Sequence, residues 1–452
     1  MTRHLILLCA IALSLTACEK QPPPATQPTS APQHDSQPLQ MENGASTSSL
    51  RDSQLLLRQP FDLERYEVPS QALQTWFDLR RQHPALILYA NDPLLQRTSP
   101  EIQENLLTVL KQRDLSRLRV DIANPALLPP MTLHAALELG LFSSVYWVVP
   151  VESSLDTFSL DIFKDQMLQL GALSDDEART LTLRDGIISG TVRGVSFHAL
   201  HPDAALSLDG PAVLHVDLSY LAPLYHGEIK TPLYPLIYRT LQHLRDQNLN
   251  VIASTFSYSQ LFGQVPLGSR FLGRTLAQIF ATPDMLAKNV PPQWQERADA
   301  LYLPELFQSD KARTILLQRV SEQPDDPSLH YALYTLSRKV KSAQSEALAH
   351  LDNAVKLDAS YALEYQKLAP QAEERGRPDE ALRMLRLAHD AAPENPYYTL
   401  ELARGLMTAG LQSEAYSLVQ GLQKLDWSPY FYPDMPTFLA NLALRSDSAA
   451  RE

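Results

Sequence analysis

The stretches "SEALAHLDNAVKLDAS" (345–360), "DEALRMLRLAHDAAPE" (379–394) and "SEAYSLVQGLQKLDWS" (413–428) fall into register at a spacing of 34 residues. Ala347, Ala381 and Ala415 share one position, Leu351, Leu385 and Val419 a second, and Ala354, Ala388 and Leu422 a third. Small residues at fixed points allow close helix approach, and the large ones between them fill the remaining space. Leu368-Ala369 and Leu402-Ala403 repeat the pattern one helix earlier, with Tyr334-Thr335 in the first copy. Gly376 and Gly410 sit where a helix pair must turn, with Ser342 in the first copy, and glycine supplies the left-handed backbone such a turn takes. Ala359 and Pro393 mark the exit, where proline ends a helix.

Two helices per 34 residues with this placement of small and large residues resemble tetratricopeptide repeats over about 328–425. A half copy, "DKARTILLQRVSEQPDDP", precedes them and is broken by Pro324 and Pro327; "DWSPYFYPDMPTFLANLALR" reads as an irregular segment and a capping helix. The resemblance implies a protein or peptide partner in the concave groove, with Arg375, Arg377 and Arg383 as charged groove candidates. The same array could equally serve as packing for the region before it.

Residues 51–305 change character. "ALILYAN" (85–91), "RLRVDIA" (117–123), "VYWVVP" (145–150), "TVRGVSFHAL" (191–200), "AVLHVDLSYL" (212–221) and "NVIASTFSY" (250–258) read as strands. "SPEIQENLLTVLKQR", "LHAALELG" and "YPLIYRTLQHLRDQ" read as helices. The alternation predicts an α/β domain with a mostly parallel sheet, followed by the all-α array at 306–446. Ligands of such sheets gather at the carboxyl ends of the strands.

Polar residues at those ends are therefore the candidates. His215 and Asp217 alternate on one strand face; Asn91 and Asp92 follow the first strand; His134 opens a helix; His198, His201 and Asp203 come from "HALHPD". Brought together, His201, Asp203, His215 and Asp217 would make an imidazole and carboxylate set for a divalent metal that activates water. "HVDLSY" faintly resembles the strand-end motifs of arginase/deacetylase-like enzymes, which implies a metal-dependent hydrolase, although Ser219 and Tyr220 stand where that family would carry further acids. Turn chemistry or core hydrogen bonding explains the same residues without a ligand. Two aromatic loops, one with Tyr220, Tyr225, His226, Glu228 and Lys230 and one with Ser257, Tyr258, Ser259 and Arg270, offer binding candidates, chiefly Tyr220, Tyr225, Tyr258 and Arg270. A saccharide is a further candidate ligand for such loops. No GxSxG, SxxK, HExxH, GxGxxG or GxxxxGK[ST] occurs, so the expectation leans away from an enzyme and from a resident cofactor.

The first fifty residues bear on location. Arg3 precedes the apolar run "LILLCAIALSL" (5–15), which is too short to span a bilayer and suits a secretory signal. "LTAC" (15–18) ends it and resembles the lipobox of bacterial lipoproteins. That resemblance implies removal of residues 1–17 and lipidation of Cys18, with a plain secretory signal or a short membrane anchor as the alternatives. The resemblance also implies the outer membrane, facing the periplasm, because Glu19 stands where such lipoproteins retained at the inner membrane carry Asp. Residues 18–50 are rich in Pro, Gln, Ser and Thr and read as a disordered tether. Cys9 and Cys18 are the two cysteines, so a processed chain carries no disulfide. A net charge of −12 excludes nucleic acid as a partner and disfavours anionic lipid. The expectation is a membrane-anchored envelope lipoprotein that binds or assembles other proteins.

Overall fold

The computed structural model describes residues 51–151, 159–261, 265–339 and 344–450. Cys18, Glu19, the tether and Ser342 lie outside the described residues. Among the described residues no helix is long and apolar enough to cross a membrane.

Among the described residues nine strands form one sheet: β1 Gln54–Leu55, β2 Leu63–Tyr66, β3 Ala85–Tyr89, β4 Ser144–Val148, β5 Thr182–Arg184, β6 Ile187–Val192, β7 Val195–Leu200, β8 Ala212–Asp217 and β9 Asn250–Ser257. The order is β1-β9-β8-β3-β4-β7-β6-β5, with β2 also on β9. The pairings β2/β9, β9/β8, β8/β3, β3/β4 and β4/β7 are parallel, and antiparallel pairs occur only toward the margins. Both faces are covered. One carries α1 Leu73–Leu79, α2 Pro100–Gln112, α3 Thr132–Glu138 and α4 Leu160–Gln169, and beyond them lies the short α5 Asp175–Thr180. The other carries α6 Leu233–Asp246, α7 Phe271–Ala281 and α8 Pro292–Tyr302. A sheet buried on two sides explains why its central strands read as continuous apolar runs.

The strand expected at 117–123 does not form. Leu115–Leu118 is a 3-10 turn, and Arg117 donates from Nε to the carbonyl of Asn124 at 3.1 Å, folding the segment back on itself. The single run expected at 191–200 is the hairpin β6–β7. Its turn residues, Arg193 and Gly194, have φ of 52° and 75°, the primed geometry that matches strand twist.

The array follows as α9 Ser309–Glu322, α10 Pro327–Ser337, α11 Gln344–Leu357, α12 Leu363–Glu374, α13 Pro378–Ala391, α14 Pro396–Thr408, α15 Gln412–Gln423 and the terminal α16 Met435–Ala450. All nine residues of the three 34-spaced triplets are buried. Gly376 and Gly410 adopt φ of 70° and 77° in the turns α12–α13 and α14–α15. The described residues, sheet and array together, make one compact unit, and helix packing continues from Ala300 of α8 to Ala312 and Leu316 of α9.

Candidate functional site

The chain leaves β3 for one face of the sheet and leaves β8 for the other. The carboxyl ends of these neighbouring strands therefore diverge, which is where a doubly covered sheet opens a crevice. Asn91 and Asp92 follow β3, and Asp217 and Ser219 close β8, with the Asn91 amide donating to Ser219 Oγ at 3.3 Å across the divide. Burial raises the Asp92 carboxyl, despite the Leu94 amide it accepts at 2.6 Å, and the charge of Asp217 adds to the rise. Leu94 and Ser259 flank this region in the left-handed conformation, at φ of 57° and 51°, a strain side chains other than glycine rarely hold.

Beneath the crevice runs a polar ladder. His215 lies opposite Thr255 and Asp217 opposite Ser257, so H-x-D on β8 faces T-x-S on β9 along one sheet face. His215 Nδ1 is 2.9 Å from Thr255 Oγ1 and Nε2 is 3.1 Å from Ser257 Oγ. Asp217 accepts from the hydroxyls of Ser257 and Ser259 and from the Ser219 amide at 2.9 Å. Trp76 Nε1 reaches Thr255 Oγ1 at 3.4 Å and its ring meets His215 edge-on at 5.3 Å. Burial pushes His215 down to about 4, against the pull of Asp217, so the ring is neutral near neutrality. Ser257 gives its one hydrogen to Asp217, so a neutral His215 donates from Nε2 to Ser257, while the Thr255 hydroxyl beside Nδ1 accepts from Trp76 and donates to the Leu214 carbonyl at 3.2 Å.

That arrangement places the metal and catalytic candidates His215 and Asp217 inside the fold. Their side chains are 0% and 2% exposed as residues, and their polar atoms already have partners. His201 and Asp203 make their own turn, with the Asp203 amide on His201 Nδ1 at 3.1 Å, and do not join the other two. Among the described residues no three His, Cys, Asp or Glu side chains gather as a metal-binding group. His198 stacks on Tyr146 between Ser189 and Ser196, and His134 is buried against Thr98, held down to about 4 by burial first and Arg193 second.

The aromatic-loop candidates are also placed by packing. Tyr220 is buried edge-on against Tyr89 at 4.9 Å. Tyr225 donates to Glu228 at 3.1 Å, and Glu228 accepts the Leu233 amide at the start of α6, while His226 and Lys230 are exposed. Arg270 forms a joint. It donates from Nη1 and Nη2 to Glu67 at 2.9 and 2.5 Å, from Nε to Asp358 at 2.7 Å and from Nη1 to Gln260 at 3.1 Å, under the Tyr258 ring at 4.1 Å. Burial alone would lower the Arg270 guanidinium, but Glu67 and Asp358 outweigh it and raise it. Gly273 makes room for this stack, because a Cβ there would overlap the Tyr258 ring.

Asp358 belongs to the array, and it is one of a series. Asp326, Asp358 and Asn395 each cap the next helical segment by accepting the amide two residues on, at 2.9, 3.0 and 3.0 Å. The loops that carry them meet the sheet region in turn. Asp326 pairs with Arg274 at 3.2 Å, Asp358 with Arg270, and Glu394 with Arg119 at 3.7 Å. In the following loop Asp426 accepts from Asn124 at 2.6 Å and the Ser428 amide donates to the Ala123 carbonyl at 3.1 Å. The array is thus docked along its inter-repeat loop edge. Arg375, Arg377 and Arg383 are exposed, the first two beside the α12–α13 turn at the far end of those helices.

Sequence reasoning missed Glu67 and Asp358, which carry no local motif. It also missed Thr255, although Thr255, Ser257 and Ser259 alternate on β9 with the same period as His215 and Asp217 on β8.

No protein-family description and no curated protein matches the chain. Among solved structures, "MamA RS-1 ArsTM double mutant" is 15% identical over 35% of this chain and 94% of its own, at a TM-score of 0.22. "Crystal structure of MamA" is 16% identical over 42% of this chain and 99% of its own, also at 0.22.

Proposed function

We propose that this chain is a lipid-anchored bacterial envelope protein that binds a protein or peptide partner through tetratricopeptide-like repeats. In this reading the α/β region serves as a rigid mount for the array. The observation that supports it is the edge-on docking: the inter-repeat loops are spent on the sheet, while exposed side chains remain on the helices and the opposite turns, among them Pro370, Glu373, Arg375, Arg377, Arg383 and Arg404. Lipidation of Cys18 rests on the lipobox resemblance, and it places the array at the outer-membrane surface facing the periplasm.

Two experiments test this. A photo-crosslinking side chain placed at Pro370, Glu373 or Arg404 in cells is expected to trap one discrete partner, and the adduct is lost on reversing the charges of Arg375, Arg377 and Arg383. Absence of any adduct from these positions, with adducts forming from the exposed α4 surface instead, rejects the array as the contact. Metabolic labelling with a palmitate analogue is expected in the full chain and absent in Cys18→Ser; equal labelling of both rejects the anchor.

A further inference from the structure

Arg270 holds three neighbours of one strained residue, Ser259. Just beyond β9, Ser259 is buried and left-handed, at φ of 51°. A backbone of that hand is disfavoured about tenfold for a residue with a Cβ, and it persists only where the surroundings impose it. The Ser259 amide donates to the Glu67 carbonyl at 2.9 Å, and Arg270 clamps the Glu67 carboxylate from Nη1 and Nη2. On one side of Ser259 the Tyr258 ring lies against the guanidinium at 4.1 Å. On the other, Gln260 accepts from Nη1 at 3.1 Å and donates to the Pro266 carbonyl at 3.0 Å. The remaining donor, Nε, reaches Asp358 of the array at 2.7 Å.

Ser259 also reaches the crevice. Its hydroxyl donates to Asp217 Oδ2, which it shares with Ser257, while the Ser219 amide takes Oδ1. A line of contacts shows only that two places are connected; coupling needs an element with two states that both ends bias. Ser259 has two such states. Left-handed, it places its hydroxyl on Asp217. Relaxed to negative φ, it turns the hydroxyl away and leaves Oδ2 to Ser257.

We propose that Arg270 and Ser259 form a latch through which docking of the array at Asp358 sets the floor of the crevice. With Asp358 in place the guanidinium is fixed from both ends, and Ser259 stays left-handed. Without it, the hold on Glu67 and Gln260 slackens and the strain at Ser259 is relieved by relaxation. Coupling between two places is reciprocal, so loss of the bond from Ser259 to Asp217 loosens Asp358 by the same factor.

Amide hydrogen exchange in the whole chain tests this. Asp358→Asn is expected to quicken exchange of the Ser259 amide about fivefold or more, with β4 unchanged. Reciprocally, Ser259→Ala is expected to quicken the Ser360 amide, which donates to Asp358 at 3.0 Å. Ser259→Gly and Ser259→Ala both delete the hydroxyl, but glycine takes the left-handed backbone without the penalty. Combined with Asp358→Asn, the glycine variant is therefore expected to exchange about fivefold more slowly at 258–260 than the alanine variant. A loop that is merely loosened gives the opposite order. If Asp358→Asn does not fold, the same comparison is read at Ser360 with Asp358 intact, where alanine is expected to be the faster. Unchanged exchange at Ser259 in Asp358→Asn, or a glycine variant that exchanges as fast as alanine or faster, overturns the latch.

Discussion

Replacing Arg270 with methionine tests the account of the joint between sheet and array. The change keeps an apolar stem but removes every hydrogen bond to Glu67, Asp358 and Gln260. Breaking a closed ion pair by deleting one partner costs about 3–5 kcal/mol, since the other charge stays buried. Here the abandoned carboxylates are not closed off. The Glu67 side chain is 37% exposed and that of Asp358 27%, so both regain water in part. The expected loss is therefore about 2–3 kcal/mol. Urea unfolding followed by circular dichroism measures it. Asp358→Asn provides the partner for a double-mutant cycle, with a coupling of about 1 kcal/mol or more expected for residues in one network. Hydrogen exchange should quicken at residues 258–260 and 358–361 before it does elsewhere. A loss under about 0.5 kcal/mol, or strictly additive single changes, would refute the view that Arg270 ties the two parts together.

The buried His215 makes stability depend on acidity. Its folded value of about 4 lies below the ordinary 6.5, so the unfolded chain takes up the proton first as pH falls. Its contribution is complete above 6.5 and is lost between 6.5 and about 4, up to about 3 kcal/mol. His215→Gln should flatten the urea midpoint across that window, and an unchanged slope counts against the neutral ring. Asp217→Asn presents an amide hydrogen to Ser257, Ser259 or the Ser219 amide; a loss of about 2–3 kcal/mol is expected in urea unfolding, and one below 1 kcal/mol means the three donors do not converge on this side chain. Gly376→Ala and Gly410→Ala, at left-handed turns, should each cost about 1–2 kcal/mol. Gly421→Ala, within α15 and in open space, should stabilise by about 0.5–1 kcal/mol, and equal signs at all three would contradict the turn assignment.

What could be read from the sequence was what local periodicity encodes. Ala347, Ala381 and Ala415 announce the array because a 34-residue repeat needs a small residue at the same crossing each time. Strands β3, β4, β8 and β9 announce themselves as apolar runs between turns. The two residues of β1 and the "LERY" of β2 are too short and too mixed to stand out, and they are strands only because β9 offers them a free edge. "RLRVDIA" failed for the opposite reason: its alternation is genuine, but Arg117 and Arg119 find their partners in Asn124 and Asp121 nearby and close a loop. In the candidate site, His215 and Asp217 were visible as a pair, but whether they opened outward or inward depended on Thr255 and Ser257, some forty residues on. The joint was invisible. Arg270 and Asp358 stand 88 residues apart, and nothing in either segment announces the pairing.

A stack of helical repeats standing alone behaves as a spring, since each repeat touches only its neighbours and small rotations add along the stack. Here the loops at Asp326, Asp358, Glu394 and Asp426 are fastened one after another to a helix and loops packed around the sheet. The spring is riveted to a plate. Its curvature is set when the chain folds, so a partner of the kind proposed would meet a surface already shaped, with the entropic cost of shaping it carried by folding.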